Sequence, residues 1–296
     1  MTLDDPRSPE GLARALAQLK MAPAHRWGQN FLIDADVFAV LADMATQGQS
    51  AADVLEIGPG VGGLTRSLLE RGARVASIEL DERLRPVLET LQSRFADRLT
   101  LYWGDALSLS WGEVAWRTGF SSPNIAGNLP YYITAPLLGK LMDADFEWGR
   151  AVFMMQREVA DRLLSEPGQR NTSALSVLIR YNIDVRPGIA DVPPTAFVPA
   201  PEVHSSVLQL IRRPPLAVDR TIFAWTVRAG FQHRRKMLRQ ALSRAPGSPM
   251  SRTEWSEFLR ALGISDSARA EELTLDEWTR LARAISHQKR GQGHDI

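Results

Sequence analysis

From residue 53 to residue 180, short apolar runs alternate with segments of helical periodicity. Short runs that are apolar throughout are typical of strands buried on both faces of a parallel sheet. The predicted strands are Asp53–Ile57, Arg74–Leu80, Leu99–Trp103, Pro123–Ala126 and Ala151–Met155, and the predicted helices are Gly63–Arg71, Glu82–Phe95, Pro136–Met142, Glu158–Leu164 and Ser173–Arg180. The alternation predicts an α/β fold with a mostly parallel sheet and helices on both faces.

The pattern changes after residue 181. Two apolar runs, Asn182–Ile189 and Ser205–Ile211, have no helical segment between them and predict an antiparallel hairpin at the end of the sheet. Residues 192–204 join them, contain four prolines and are predicted to form a stiff, extended loop. After Pro214 the strands stop, and the predicted helices are Thr221–Phe231, Arg235–Ala245, Arg252–Leu262 and Leu275–Ile285.

These changes divide the 296 residues into three predicted parts. Residues 1–33 form an N-terminal arm, and its first part is interpreted as an arm or a short helix. Residues 34–213 form a Rossmann-like domain that begins with a helix at Asp34–Ala45, where Asp34 is placed to cap the helix. Residues 214–296 form a small all-helical domain. This length suits one large domain and one small one.

Composition removes several classes of protein. The chain has no cysteine, which excludes disulfides, thiolate metal sites and cysteine nucleophiles and agrees with a cytoplasmic location. No apolar run approaches the roughly 18 residues of a membrane helix, and the polar N-terminus does not resemble a secretion signal. The five histidines lack metal-ligand spacing, so no metal site is expected. Serine-hydrolase, P-loop and zinc-protease motifs are also missing.

Charge is distributed unevenly along the chain. The net charge is +1, but the residues from Pro214 onward contain 14 Lys and Arg against 9 Asp and Glu, a net of +5. Residues 228–244 contain six basic residues and no acidic one. A basic surface beside a nearly neutral body indicates a polyanionic partner, while the alternative is a solvated helix face without a partner.

A glycine-rich turn follows the first predicted strand. The sequence E-I-G-P-G-V-G-G, residues 56–63, lets the backbone turn sharply at Gly58 and Gly60 and approach a ligand. Glu79 ends the second strand, at the position where nucleotide-binding folds place the acid that bonds ribose hydroxyls. The alternative is a tight strand–helix turn that binds nothing.

The form of this turn bears on the kind of nucleotide. A pyrophosphate needs a cradle of free N–H groups, and Pro59 removes one of them. The pattern E-x-G-x-G-x-G resembles the loop that binds S-adenosyl-L-methionine, which has a ribose and an adenine but no phosphate. Asp105 follows the third strand and is placed to accept a hydrogen bond from the adenine amine, although an aspartate in a turn is more often structural.

The fourth predicted strand ends in the sequence Asn128-Leu129-Pro130-Tyr131. In an open α/β sheet, ligands lie beyond the carboxyl ends of the strands, so this motif shares an edge with the glycine turn. It resembles the signature of methyltransferases that act on ring-conjugated amines such as adenine N6. The Asn128 side-chain oxygen and the Leu129 carbonyl, fixed by Pro130, would hold the two amine hydrogens, and Tyr131 would stack on the base. The alternative is a strand-ending turn followed by core tyrosines.

Further motifs extend the resemblance over nearly the whole chain. They are, in order, G-Q-N-F-L (28–32), E-I-G-P-G (56–60), I-E-L-D (78–81), G-D-A (104–106), N-L-P-Y (128–131), Q-R-E-V (156–159), V-P-P-x-A-F-x-P-x-P-x-V (192–203), F-x-x-R-R-K (231–236) and R-A-E-x-L (269–273). In this combination the chain resembles the ribosomal RNA adenine dimethyltransferases, and its helical C-terminal part is most similar to the bacterial small-subunit type.

The resemblance implies a class I methyltransferase fold, S-adenosyl-L-methionine as cofactor, and an N-terminal arm that folds over it. The implied cofactor contacts are Asn30, Leu32, Gly58, Glu79, Asp105 and Asn128. Phe197 is implied near the target base, and Arg234, Arg235 and Lys236 are implied to meet RNA phosphates.

The implied activity is N6,N6-dimethylation of two adjacent adenines in a small-subunit rRNA hairpin, within an assembling 30S-type particle, by a cytoplasmic monomer. Two positions depart from the family pattern. Trp27 replaces the usual Phe, which is a conservative change, and residues 171–174 replace a usual Tyr-Gly pair, so no substrate contact is carried over to that loop.

Three alternatives differ in substrate or in class. A large-subunit rRNA methyltransferase of the macrolide-resistance type would share the site but lack the full C-terminal domain. A non-catalytic nucleic-acid-binding relative would not need an intact Asn128-Leu129-Pro130-Tyr131 motif. A small-molecule methyltransferase would not need the basic residues 228–244.

Overall fold

A computed structural model describes residues 5–21, 30–169, 171–233 and 235–291. The chain divides into two compact units, of which the first is Met1–Ala160 with Val185–Arg212 and the second is Asp161–Asp184 with Arg213–Ile296. The sequence-based boundary at residue 213 lies at the same place as one of these divisions, but residues 161–184 group with the C-terminal helices. The division into an arm, a methyltransferase domain and an RNA-binding domain stays a prediction.

The first unit is built on a seven-stranded sheet. Its strands are β2 (Asp53–Ile57), β3 (Arg74–Glu79), β4 (Leu99–Trp103), β5 (Asn124–Asn128), β6 (Arg150–Gln156), β7 (Ile183–Pro187, with its first two residues in the second unit) and β9 (Ser205–Arg212). Their order is β4-β3-β2-β5-β6-β9-β7. Strands β2 to β6 run parallel, and β9 runs antiparallel to β6. The predicted mostly parallel sheet with an antiparallel end is confirmed.

Helices cover both faces of the parallel strands. They are α2 (Ala35–Thr46), α3 (Gly63–Glu70), α4 (Arg85–Arg94), α5 (Trp111–Arg117) and α6 (Thr134–Met142). Helix α7 (Arg157–Leu164) follows β6 and has its last four residues in the second unit. The predicted cap of α2 is confirmed, because the Asp34 carboxylate accepts hydrogen bonds from the N–H groups of Asp36 and Val37 at 3.0 and 3.1 Å. One continuous core joins Phe38 and Leu41 of α2 to Val54 of the sheet. Burial of such side chains supplies most of the stability of this layer.

A second, two-stranded sheet connects distant parts of the chain. Strand β1 (Phe31–Leu32) pairs antiparallel with β8 (Phe197–Val198), which lies inside the proline-rich segment. Helix α1 (Pro9–Gln18) precedes it, with Ser8 as its cap and Leu12 and Leu16 buried in a small cluster that also contains Phe31. The first residues described therefore pack on the first unit as a helix.

The second unit is helical. Its helices are α8 (Ala174–Ile179), α9 (Arg220–Phe231), α10 (Leu238–Arg244), α11 (Arg252–Ala261) and α12 (Leu275–Gly291). Their core contains Trp255 and Trp278, both fully buried, with Phe223 and Leu281 around them. Within the described residues, no helix is long and apolar enough to cross a membrane.

Several local predictions need correction, and the predicted helix from Arg235 also begins later, at Leu238. Helix α5 was not predicted, and β5 continues to Asn128 instead of ending at Ala126. The predicted helix from Glu82 begins with a 3-10 turn, and α4 starts at Arg85 because Pro86 has no N–H and fits a first-turn position. The proline-rich segment is a loop, but it contributes β8 to a sheet.

Candidate active site

Four strands deliver the predicted site residues to one edge of the sheet. Gly58, Glu79, Asp105 and Asn128 lie at or just beyond the carboxyl ends of β2, β3, β4 and β5. The connections leave β2 in one direction towards β3 and β4, and the chain then returns to β5 on the other side of β2. A crevice opens at such a reversal, which is where ligands bind in open α/β sheets.

The glycine turn adopts the backbone that its sequence predicts. Gly58, Gly60 and Gly62 have φ values of +70, +58 and +86°, a region that side chains other than glycine rarely enter. The Gly58 N–H donates to the Ile78 carbonyl at 3.0 Å, which ties the turn to β3. A Cβ on Gly58 would meet no protein atom within 4 Å. The space in front of Gly58 is therefore open to a ligand.

Glu79 is locked in place by backbone N–H groups. Its Oε2 accepts from Gly60 at 3.0 Å and its Oε1 accepts from Asp81 at 2.8 Å. The side chain is buried, and this desolvation raises the pKa of Glu79 although the two N–H groups oppose the shift. Each oxygen keeps a second lone pair, so the carboxylate can still accept hydroxyl hydrogens.

Glu56 lies beneath the turn and is fully buried. Its Oε2 accepts from the hydroxyls of Thr65 and Ser77 at 2.6 and 2.8 Å, and its Oε1 has no partner among the described residues. Complete burial raises the pKa of Glu56 to about 7. This carboxyl group joins β2, α3 and β3 directly under the glycine turn.

Asp105 begins a tight turn after β4. Its Oδ1 accepts from the Leu107 N–H at 2.8 Å, and its carbonyl accepts from the N–H groups of Ser108 and Leu109. Gly104, just before it, has a φ of +148°. The carboxylate is thus held by its own turn at the edge of the sheet, next to Glu79.

The Asn-Leu-Pro-Tyr segment presents two oxygen atoms that accept no hydrogen bond from the residues the structure describes. Asn128 Nδ2 donates to the Asn30 carbonyl at 3.4 Å, which turns Oδ1 the other way. The Leu129 N–H donates to Met154 at 3.0 Å, and the Pro130 carbonyl accepts from Ile133 and Thr134. Within the described part of the chain, no group donates to Asn128 Oδ1 or to the Leu129 carbonyl.

Tyr131 is fixed at its far end. Its hydroxyl forms a 3.0 Å hydrogen bond with Ser205 Oγ, at the start of β9. Desolvation raises the pKa of the phenol, which keeps it neutral. Because one end of the ring is anchored, its face is held in one orientation at the cavity wall.

Two adjoining cavities share Gly58, Glu79 and Pro130. The first, about 110 Å³, is lined by Asn30, Phe31, Leu32, Phe38, Gly58, Pro59, Gly60, Val61, Gly63, Leu64, Glu79, Asn128, Leu129, Pro130 and Tyr131. The second, about 250 Å³, is lined by Ile57, Gly58, Ile78, Glu79, Leu80, Asp81, Glu82, Gly104, Asp105, Ala106, Pro130, Tyr132 and Ile133. Neither set of described lining residues contains a Lys or an Arg. The site is therefore suited to a ligand with hydroxyl, amine or cationic groups and unsuited to a pyrophosphate.

Most of the predicted site residues line these cavities. Asn30, Leu32, Gly58, Gly60, Glu79, Asp105 and Asn128 come together with Leu129, Pro130 and Tyr131. Phe197 does not line either cavity. The residue is 3% exposed and packs in the core with Leu32 and Phe38, because β8 pairs with β1.

The predicted RNA contacts belong to the second unit. Arg235 and Lys236 are exposed between α9 and α10, and no ion pair is found for either side chain among the described residues. Arg234 lies outside the described residues, as do Trp27, Gly28 and Gln29 of the predicted arm.

Sequence reasoning missed several apolar lining residues. Phe31, Val61, Leu80 and Tyr132 line the cavities, and Leu80 and Tyr132 are 49 and 59% exposed. Leu80 stands inside the quoted I-E-L-D motif and Tyr132 follows Asn-Leu-Pro-Tyr, so their positions were available as a signal. Large exposed hydrophobic side chains beside a cavity are a common sign of a ligand surface.

Comparison with known proteins identifies relatives over nearly all of the chain. The model of the ribosomal RNA adenine dimethylase family matches residues 23–287. A ribosomal RNA small subunit methyltransferase A from Anaeromyxobacter sp. (strain K) is 42% identical over 268 residues, which are 88% of this chain and 92% of the relative. The protein of the same name from Dinoroseobacter shibae is 38% identical over 284 residues, 93% of this chain and 96% of the relative.

Solved structures show the same fold. A dimethyladenosine transferase from Plasmodium falciparum superposes with a TM-score of 0.72 at 24% identity. The superposition covers 88% of this chain and 98% of the transferase chain. The 23S rRNA methyltransferase ErmE superposes with a TM-score of 0.67 at 26% identity and covers 87% of this chain and 100% of its own.

Proposed function

Because this chain belongs to the ribosomal RNA adenine dimethylase family, we propose that it dimethylates the N6 amines of two adjacent adenines in a hairpin of small-subunit rRNA. The chain is an S-adenosyl-L-methionine-dependent rRNA adenine dimethyltransferase with a class I methyltransferase fold. The choice of the small subunit is supported by the relatives that are 37–42% identical, which carry that subunit in their names.

The residues around the two cavities suit the methyl donor. S-adenosyl-L-methionine supplies an electrophilic methyl group on a sulfonium, so it is favoured by described lining residues that include the buried Glu79 and the carboxylate of Asp105 but no Lys or Arg. We propose that Glu79 accepts from the ribose hydroxyls and Asp105 from the adenine amine. Asn30, Leu32, Gly58 and Gly60 form the remaining wall.

The observation that carries the proposal is the pair of free acceptors at Asn128 and Leu129. The adenine N6 lone pair is delocalised into the ring, so the amine is a weak nucleophile. Two fixed oxygens that accept its two hydrogens draw the nitrogen towards a tetrahedral geometry and stabilise the positive charge that develops on it. Asn128 is held by its bond to the Asn30 carbonyl, and Leu129 by its N–H bond to the Met154 carbonyl. No described residue donates a hydrogen bond to Asn128 Oδ1 or to the Leu129 carbonyl.

The base itself needs a flat surface. Tyr131, anchored through Ser205, provides one at the wall of the first cavity, and aromatic stacking contributes about 1–3 kcal/mol per base. We propose that Phe197 also meets the base. That contact requires its side chain to leave the buried position beside Leu32.

We assign RNA phosphate binding to Arg234, Arg235 and Lys236, in a C-terminal RNA-binding domain of residues 214–296. The proposal is supported by the six basic residues without an acidic one between 228 and 244 and by the exposure of Arg235 and Lys236. We further propose that residues 1–33 act as an arm over the cofactor and that the protein works as a cytoplasmic monomer on an assembling 30S-type particle.

The test uses the purified protein with labelled S-adenosyl-L-methionine and unmethylated small-subunit particles, with large-subunit particles in parallel. Two adjacent N6,N6-dimethyladenines in small-subunit rRNA are the expected product. Methylation of large-subunit RNA would favour the macrolide-resistance alternative. RNA binding without any methyl transfer would favour a non-catalytic relative.

A further inference from the structure

The turn that carries Asp105 is held from outside by two helices. Lys140, on α6, donates from Nζ to the carbonyls of Leu107 and Leu109 at 2.8 and 2.6 Å. Trp111, on α5, donates from Nε1 to the Ala106 carbonyl at 2.8 Å. Three carbonyls in a short segment are therefore bound by side chains that do not belong to it.

Asp105 cannot move independently of that segment. Its Oδ1 accepts from the Leu107 N–H, its Oδ2 is 3.4 Å from Ser108 Oγ, and its carbonyl accepts from Leu109. Leu107 and Leu109 are also the two residues whose carbonyls Lys140 binds. Displacing this segment would therefore displace the carboxylate.

The Lys140 ammonium is partly removed from water where it makes these contacts. It lies 5.6 Å from the centroid of the buried Trp111 ring. Desolvation lowers its pKa, against the opposing charges of Asp105 and Asp145. A partly desolvated ammonium needs acceptors, and charge-assisted bonds to two carbonyls are stronger than neutral ones.

Lys140 also stands on the helix that follows the Asn-Leu-Pro-Tyr motif. Helix α6 begins at Thr134, whose hydroxyl donates to the Pro130 carbonyl at 3.2 Å. We propose that Lys140 is a positioning residue that sets Asp105 against the purine ring of the methyl donor and ties that end of the site to the helix of the amine-binding motif. The inference rests on the proposed function, in which Asp105 recognises the adenine amine.

The test measures recognition of the purine by calorimetry with S-adenosyl-L-homocysteine and S-inosyl-L-homocysteine. The inosyl compound replaces the amine by a carbonyl, which a carboxylate repels. We expect the wild type to prefer the adenosyl compound by roughly tenfold or more. Lys140→Met should reduce that preference to within about threefold, and Lys140→Arg, which keeps a cation, should retain most of it.

Two further variants separate the possible outcomes. Thr118→Val removes the hydrogen bonds that Thr118 Oγ1 donates to the Val114 and Ala115 carbonyls at the C-terminal end of α5 but leaves the Asp105 turn untouched, so its purine preference should equal that of the wild type. Asp105→Asn should lose the preference. If Lys140→Met does not fold, Lys140→Gln, which is shorter and carries no charge, takes its place and should likewise reduce the preference.

Each result decides a different claim. Loss of preference in Lys140→Met with retention in Thr118→Val supports the positioning role. An unchanged preference in folded Lys140→Met, while Asp105→Asn loses it, overturns the inference and leaves the proposed function intact. If Asp105→Asn keeps the wild-type preference, the proposed contact between Asp105 and adenine is wrong, and the inference falls with it.

Discussion

The two sides of the site use their oxygen atoms differently. On the side proposed for the methyl donor, each Glu79 oxygen already accepts a backbone N–H, and Glu56 binds two hydroxyls. On the side proposed for the target amine, Asn128 Oδ1 and the Leu129 carbonyl accept nothing from the described residues. The donor side is therefore prepared to hold a ligand in its ground state, while the amine side keeps its acceptors for charge that develops during the reaction.

The largest effect should come from the amine side. Asn128→Ala removes one of the two acceptors and should lower kcat by about 10²–10³-fold. The loss of one oxyanion-hole donor has an effect of this size, although there the charge that develops is negative and here it is positive. Single-turnover methylation of small-subunit particles measures this decrease. Asn128→Asp loses the hydrogen bond to the Asn30 carbonyl but keeps an acceptor oxygen. It should therefore retain more activity than Asn128→Ala. Near-normal turnover in Asn128→Ala would remove the contrast between the two sides.

The next effect concerns stability and lies beneath the donor side. The pKa of Glu56 is about 7 in the folded protein, above its unfolded value, so the folded state binds the proton more tightly. Its contribution to stability is complete below about pH 4 and is lost as the pH rises through 7, by up to about 3 kcal/mol.

Glu56→Gln, which cannot ionise, should therefore gain on the wild type as the pH rises. Thermal unfolding of both proteins from pH 5 to pH 8 measures the difference in Tm, which should grow with pH. Glu79 shares the same direction of shift, but it is present in both proteins. A difference in Tm that stays constant over this range would show that Glu56 is ionised in the fold.

Glu79→Ala tests the donor side directly. Loss of the carboxylate removes the proposed ribose acceptor and frees the Gly60 N–H, so the dissociation constant of S-adenosyl-L-methionine should rise by about tenfold or more. Calorimetry gives the constant, and kcat at saturating donor should change much less than in Asn128→Ala. Glu79→Gln keeps one acceptor oxygen, so its dissociation constant for S-adenosyl-L-methionine should lie between those of the wild type and Glu79→Ala. Unchanged affinity in Glu79→Ala would refute the ribose role.

The smallest effect should come from the basic residues of the second unit, which line neither cavity. Changing Arg234, Arg235 and Lys236 together to Ala should weaken RNA binding by about tenfold and reduce the slope of log affinity against log salt by up to about three. The matched control changes Arg252 and Arg280, exposed cations on α11 and α12, and should leave the slope nearly unchanged. An equal slope in the triple variant and the wild type would exclude these residues from the RNA interface.

The periodicity and spacing of the sequence predicted those features of the fold that neighbouring residues determine. The parallel strands, the cap at Asp34 and the arrangement of Gly58, Glu79 and Asn128 at one edge all follow from periodicity and spacing. Helix α5 was missed because it has seven residues and little periodicity. The bonds of Lys140 could not be predicted, since their acceptors lie more than 30 residues away in sequence and are brought near by the sheet.

The same reason explains the position of Phe197. A resemblance places this residue near the base, but its burial depends on which strand meets its backbone, and a two-residue strand has no periodicity to reveal that partner. The sequence thus predicted which residues meet at the edge of the sheet, but not how the loop beside them packs.

The pairing of Phe31–Leu32 with Phe197–Val198 also has a consequence for biosynthesis. A ribosome that adds about 5–20 residues per second leaves the first of these strands without its partner for roughly ten to thirty seconds. During that interval β1, which follows Asn30 in the pocket wall, has no partner strand, so the nascent chain can complete this wall only after Val198 has been made. Strand β1 is thus made before β2 to β7 but is paired only after all of them.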